Sequence, residues 1–153
     1  MTSNYLCFSV DQIQIGIPLN FIDRVISAVA INYLPNSPQI VHGLFDYYGQ
    51  FVPVISLRYR LNLREMAITP DQIFVIVDTS VRKLALVADS VEGVKSLLKS
   101  DLIDPQNLNK GIEATSVYST GNGILLIYDA ETFLSGEDEI LFENVMNLSP
   151  KAE

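Results

Sequence analysis

The sequence predicts an all-β fold closed by one C-terminal helix, arranged as two five-stranded barrels that share a core. Short runs rich in Val, Ile, Phe and Tyr, bounded by turn residues, recur along most of the chain. About ten of them fall into two clusters of five, divided near residues 62–71. Five short strands are too few for a sandwich, yet enough for a small barrel that leaves few edges open. Only Asp138–Leu148 is read as a firm helix, with Leu141, Phe142, Val145, Met146 and Leu148 forming one apolar stripe.

Tyr5–Val10 and Ile13–Ile17 flank Asp11-Gln12 and read as a hairpin. Pro18-Leu19-Asn20 interrupts, and Phe21–Ile31 then mixes two signals. Its β-branched Val25, Ile26, Val29 and Ile31 favour a strand, whereas Ile22, Val25, Ile26 and Val29 lie at helical spacing. A helical turn running into a strand satisfies both. Two prolines make Leu34–Pro38 a loop. Strands resume at Gly43–Tyr47 and Phe51–Ser56 across Tyr48-Gly49-Gln50, where Gly49 supplies a positive φ. Leu57–Leu63 follows, with Arg58, Arg60 and Arg64 as a small basic cluster, and Met66–Asp71 breaks the chain into halves.

In the second half, Gln72–Asp78 and Val81–Ala88 pair across Thr79-Ser80, and Val91–Leu98 alternates less cleanly. Ser100–Asn109 reads as a loop with a helical turn. Ile112–Tyr118 and Ile124–Asp129 form a hairpin over the turn formers Ser119–Gly123. A faint internal echo joins the halves. Asp23-Arg24-Val25-Ile26 and Asp89-Ser90-Val91-Glu92 each follow an apolar strand and open the next segment.

Composition excludes much chemistry. The 153 residues carry ten Lys plus Arg against eighteen Asp plus Glu, a formal charge of −8, with one His and one Cys. Cys7 alone forbids an internal disulfide, and Cys7 with His42 cannot furnish a zinc site of four Cys/His ligands. An acidic surface repels phosphate backbones, so nucleic acid is not an expected partner. Met1–Asp11 lacks the basic opening of a signal peptide, and no apolar stretch approaches the roughly 18 residues that span a bilayer. The expected setting is cytoplasmic, with no direct membrane insertion and with Cys7 a reduced, buried thiol.

Nucleophilic catalysis needs a Ser or Cys beside a base, and His42 in Ile40-Val41-His42-Gly43 reads instead as a strand-entry residue. Asp46, Asp78, Asp89 and Asp129 lie at strand ends and read as turn formers rather than an acid–base pair. Gly121-Asn122-Gly123 lacks the further glycine and helix of a nucleotide loop. No catalytic residue, metal ligand or cofactor is expected. What stands out is Phe45-Asp46-Tyr47-Tyr48-Gly49-Gln50-Phe51, four aromatics within seven residues. Aromatics in a turn are either core plugs or contact residues. A binding module is favoured over an enzyme.

The stretch Val41-His42-Gly43-Leu44-Phe45-Asp46-Tyr47-Tyr48-Gly49-Gln50-Phe51-Val52-Pro53-Val54-Ile55-Ser56-Leu57-Arg58 resembles the central signature of the CheW-like domain family. That signature runs from a Gly and two apolar residues through Asn-Leu-Arg-Gly to Pro-Val and an Asp-Leu-Arg. Tyr5-Leu6-Cys7-Phe8, Ile15-Gly16-Ile17-Pro18 and Leu34-Pro35 resemble the family's earlier segments. Leu86-Val87-Ala88-Asp89-Ser90-Val91 and Leu125-Leu126-Ile127-Tyr128-Asp129 resemble its later strands. The resemblance spans about residues 4–135. It implies two intertwined five-stranded SH3-like barrels, with one subdomain over about 13–66. The other covers about 72–129 plus the N-terminal strand, and the helix covers about 137–148. It also implies a non-catalytic adaptor that bridges the regulatory domain of a CheA-type histidine kinase and the cytoplasmic tip of methyl-accepting chemotaxis proteins.

Two departures stand out. Asp46-Tyr47-Tyr48-Gly49 replaces the family's Asn-Leu-Arg-Gly, so Tyr48 takes the place of an Arg associated with coupling. Arg24 in Ile22-Asp23-Arg24-Val25 replaces an acidic residue. The expected partner-binding set, carried over from the signature region, is Ile22, Arg24, Val25, Val41, Leu44, Asp46, Tyr48 and Gly49. Its apolar members would line a groove between the subdomains, each with a core alternative, and Arg24 and Asp46 would form a replacement ion pair. Charge changes at a recognition surface alter partner choice more than fold. The alternatives are a divergent scaffold with lost or altered receptor coupling, such as one in a twitching-motility array, and more remotely a small-molecule-binding barrel.

Overall fold

A computed structural model describes residues 2–103, 114–121 and 123–148. The strands are β1 (Thr2–Val10), β2 (Ile13–Pro18), β3 (Ile22–Ser27), β4 (Val41–Tyr47), β5 (Gln50–Ile55), β6 (Ile73–Asp78), β7 (Lys83–Ala88), β8 (Ser90–Leu98), β9 (Ser116–Thr120) and β10 (Gly123–Ile127). A one-turn helix α1 (Leu57–Arg60) follows β5, and α2 (Gly136–Leu148) ends the described chain. A 3-10 turn at Leu19–Phe21 runs directly into β3, but the residues at helical spacing are not helical: Ile22, Val25 and Ile26 lie in the strand and Val29 beyond it.

The strands form two five-stranded sheets, in the orders β3-β6-β7-β5-β4 and β8-β1-β2-β10-β9. Each contains one parallel pair, β5 with β7 and β2 with β10. The two orders are the same arrangement with the chain opened at a different point. The first sheet uses consecutive strands, whereas the N-terminal hairpin β1–β2 completes the sheet begun by β8, β9 and β10. The division expected near residues 62–71 therefore does not follow the sheets: β6 and β7 join the strands before them, and both β1 and β2 join those after. The reason is the ladder itself. Gly16 pairs with Ile127 and Val54 with Ala85, contacts that a sequence break does not mark.

Both sheets close into barrels just beyond their first strand. Asn32 and Leu44 exchange backbone hydrogen bonds of 2.6 and 2.8 Å, tying the chain after β3 to β4. Leu102 bridges Tyr118, and Ile103 N–H donates to the Val117 carbonyl at 2.8 Å, tying the chain after β8 to β9. The echo between the halves is real but shifted. The bulged residues of β3 and β8 are Asp23 and Glu92, so the matching acids are these two and not Asp23 and Asp89.

Three apolar cores result. Phe45, Val52, Val54, Phe74, Ile76, Ala85 and Val87 fill the first barrel. Tyr5, Cys7, Leu97, Tyr118, Leu125 and Ile127 fill the second. Between the barrels, Val75, Val77, Leu84 and Leu86 meet Leu6, Phe8, Val10, Ile15 and Ile17. This explains why β6 and β7 are apolar at every central position, since each has a core on both faces. Helix α2 lays the buried Phe142 and the half-buried Val145 and Met146 on the shared core, while Leu141 faces solvent. The side chain of Leu148, the parts of Ser100–Asn109 and Ile112–Tyr118 at 104–113, and Asn122 lie outside the described residues.

Candidate protein-interaction site

The expected site residues cluster around the closure of the first barrel. Strands β3 and β4 are opposite edges of their sheet, and curling the sheet brings their side chains together. In the β4–β5 turn both Tyr48 and Gly49 have positive φ, 52° and 85°, the backbone of a tight hairpin turn of the primed kind. Glycine takes this conformation freely; tyrosine does so against a steric cost. Asp46 shapes the turn by accepting the Gly49 N–H at 2.7 Å. The Tyr48 ring is left 83% exposed.

Arg24 crosses from β3 to meet it. Its Nη1 donates to the Tyr48 hydroxyl at 2.9 Å, and the guanidinium lies 5.6 Å from the Tyr48 ring centroid. The expected ion pair of Arg24 with Asp46 is not made, because Asp46 is committed to its own turn and Arg24 to Tyr48. A second rung runs beside the first. The Tyr47 hydroxyl donates to Asp23 at 3.2 Å, and Lys83 Nζ lies 3.1 Å from Asp23 and 2.5 Å from Asp78. Tyr47 and Tyr48 touch edge to face at 4.8 Å. The neighbouring tyrosines, then Asp23, raise the pKa of the Arg24 guanidinium. Asp23, Tyr47 and Lys83 were missed from sequence, since nothing local to any of them marks a contact across the barrel.

The apolar members separate. Ile22 is half-buried against the shared core, and Val25 is 38% exposed. Val41 and Leu44 belong to the shared core and do not line an open groove. The cause is a bulge at His42, between the pairings of Val41 with Ile55 and Gly43 with Val54. It resets the alternation, so that Val41 and Leu44, three apart, reach the same core while Phe45 enters the barrel. A cleft between strands of the second barrel does exist. It has a volume of about 210 Å³ and is lined by Gln12, Ile13, Gln14, Ile124 and Leu126. Ile13 and Leu126 also border the shared core, as Ile22 does.

The groups that would serve catalysis are placed elsewhere. His42 is half-buried, and burial lowers its pKa against the opposing influence of Glu65. Cys7 is fully buried in the second barrel, and burial raises its thiol pKa. Among the described residues no helix is long and apolar enough to cross a membrane.

The fold and sequence have known counterparts. The chain is 24% identical over 130 residues to a "Chemotaxis protein CheW" of Treponema pallidum, covering 80% of this chain and 76% of that protein. It is 23% identical over 146 residues to the Klebsiella aerogenes protein of the same name, covering 92% and 87%. Over 101 residues it is 27% identical to "Protein FrzA" of Myxococcus xanthus, covering 66% and 63%. The crystal structure of the scaffolding protein TtCheW from Thermoanaerobacter tengcongensis superposes with a TM-score of 0.78 at 19% identity, covering 90% of this chain and 96% of that one. The model of the CheW-like domain matches residues 4–138, and the chain belongs to that family of chemotaxis coupling and scaffold proteins.

Proposed function

We propose that this chain is a cytoplasmic adaptor that works by contact alone, joining a CheA-type histidine kinase to the cytoplasmic tip of a methyl-accepting chemotaxis protein. The receptor's helical hairpin lies along the apolar cleft of the second barrel, against Ile13 and Leu126, with Ile22 and Val25 of the first barrel as its further contacts. Val41 and Leu44 support that surface from beneath. The kinase regulatory domain packs on the exposed ends of the barrels, and the adaptor holds the kinase in a receptor-dependent geometry.

The observation that carries the reading is the contact between Arg24 and Tyr48. These are the two positions where the sequence departs in charge from the family signature, and they meet at an exposed hairpin tip. An aromatic ring held at a strained backbone position, largely uncovered, is a surface suited to protein contact. The same contact favours one refinement. With Asp46 and Gly49 shaping the tip, the Arg24–Tyr48 pair adapts the surface to a dedicated receptor and kinase rather than to the family's common ones.

Titration of the purified protein against a receptor cytoplasmic hairpin and a CheA regulatory domain from the same genome tests this. Binding to both is expected. Binding to neither at concentrations up to ~100 μM overturns the adaptor reading. Tyr48→Arg is expected to weaken binding to the chain's own receptor and strengthen binding to receptors of ordinary CheW proteins. Unchanged affinity for both removes the tip from the interface.

A further inference from the structure

We infer that Arg58 is a positioning residue, by which the first barrel fixes one wall of the cleft in the second. The inference rests on the coupling role proposed for that cleft. Arg58 is the second residue of α1, which follows β5 of the first barrel, and its side chain is only 11% exposed. It reaches over to the β1–β2 turn of the second barrel. Nη1 lies 3.0 Å from Asp11, and Nη2 donates to Asp89 at 2.9 Å. Asp89 also accepts the Asp11 N–H at 2.6 Å and the Gln72 side-chain amide at 3.0 Å. One guanidinium and one carboxylate therefore grip both the side chain and the backbone of Asp11, which is itself held at a positive φ of 53°.

The next three residues after Asp11 are Gln12, Ile13 and Gln14, and all three line the cleft. Among the described residues, Gln14 Oε1 is buried without a hydrogen-bond partner. The wall's place is thus set from outside its own barrel.

The arrangement is reciprocal. After β10 of the second barrel, Glu131 reaches the β6–β7 turn of the first, accepting the Ser80 N–H at 2.8 Å and the Ser80 hydroxyl at 2.7 Å. Arg82 of the same turn pairs with Glu139 and Glu143 of α2 and lies over the Phe142 ring. Each barrel thereby grips the hairpin turn of the other, and only the Arg58 grip ends beside the cleft.

Arg58→Met keeps much of the stem packing and removes the charge; Arg58→Lys restores charge without the fork. The test combines amide exchange with titration of the full chain against the receptor hairpin and the kinase regulatory domain. In Arg58→Met, exchange at Gln12–Gln14 is expected to accelerate while the β6–β7 ladder stays protected. Hairpin affinity is expected to fall about tenfold and kinase affinity to hold within about twofold, with partial recovery in Arg58→Lys. Unchanged exchange at Gln12–Gln14, unchanged hairpin affinity, or an equal loss of kinase binding overturns the positioning role. If the parent chain does not bind the hairpin, the coupling reading falls and the positioning role falls with it. Exchange then still decides whether Arg58 holds the turn.

Discussion

The two barrels share one strand order and one parallel pair, yet they are closed and filled differently. The first is packed with two phenylalanines and five aliphatic side chains, with Phe45 and Phe74 at 5.3 Å. It is laced outside by the Arg24–Tyr48 and Asp23–Tyr47 contacts. The second places tyrosine hydroxyls within its core. Tyr5 and Tyr118 face each other at 3.5 Å, and that hydrogen bond is the main cause raising the Tyr118 pKa to about 12. One architecture thus supports a dry core with a polar seam and a core with hydroxyls inside it. Strand order does not dictate where the polar contacts go, and the first barrel has them on the surface a partner can reach.

The largest expected effect tests the dry core. Phe74 is fully buried, and Phe74→Ala is expected to cost about 3–5 kcal/mol, read by chemical denaturation. Loss of less than about 1.5 kcal/mol would mean that the first barrel collapses around the cavity and is packed no more tightly than a core of ordinary aliphatics.

The next effect concerns closure. A Cβ on Gly43 would lie 2.4 Å from the Asn32 carbonyl oxygen, a backbone atom in the bridge that closes the first barrel. Gly43→Ala is expected to cost about 1–3 kcal/mol. Gly121→Ala, in the turn of the second barrel, meets nothing within 4 Å and is expected to stay within about 0.5 kcal/mol of the parent. Equal losses at both positions would mean that the cost at Gly43 does not come from the bridge that closes the first barrel.

Much of this was legible in the sequence, for local reasons. The hairpins announce themselves by turn residues, β6 and β7 by unbroken apolar runs, and the tip by Asp46, Tyr48 and Gly49. The family signature supplied Arg24 and Tyr48 as individual departures. Their contact was not legible, because it depends on how far a five-stranded sheet curls. The Arg24–Asp46 pairing failed for a related reason: the nearby Gly49 N–H engages Asp46 before any distant partner can. Val41 and Leu44 take the core alternative because a single bulged residue, His42, shifts the alternation without leaving a mark in composition. The β1–β2 hairpin was assigned only in part to the second barrel, since parallel pairing between residues as distant as Gly16 and Ile127 has no sequence signature.

The smallest effect separates stability from recognition at the tip. Tyr48 occupies a left-handed position that suits Asn far better, so Tyr48→Asn is expected to stabilise the protein by up to about 1 kcal/mol. Its contacts with Arg24 and Tyr47 are solvent-exposed and offset little of that gain. The same variant removes the exposed ring and is expected to weaken partner binding. A more stable, weaker-binding protein would mean that the strain at Tyr48 is retained for contact. A destabilised variant would mean the opposite: the Arg24–Tyr48 rung holds the first barrel closed, and the seam is structural before it is a surface for recognition.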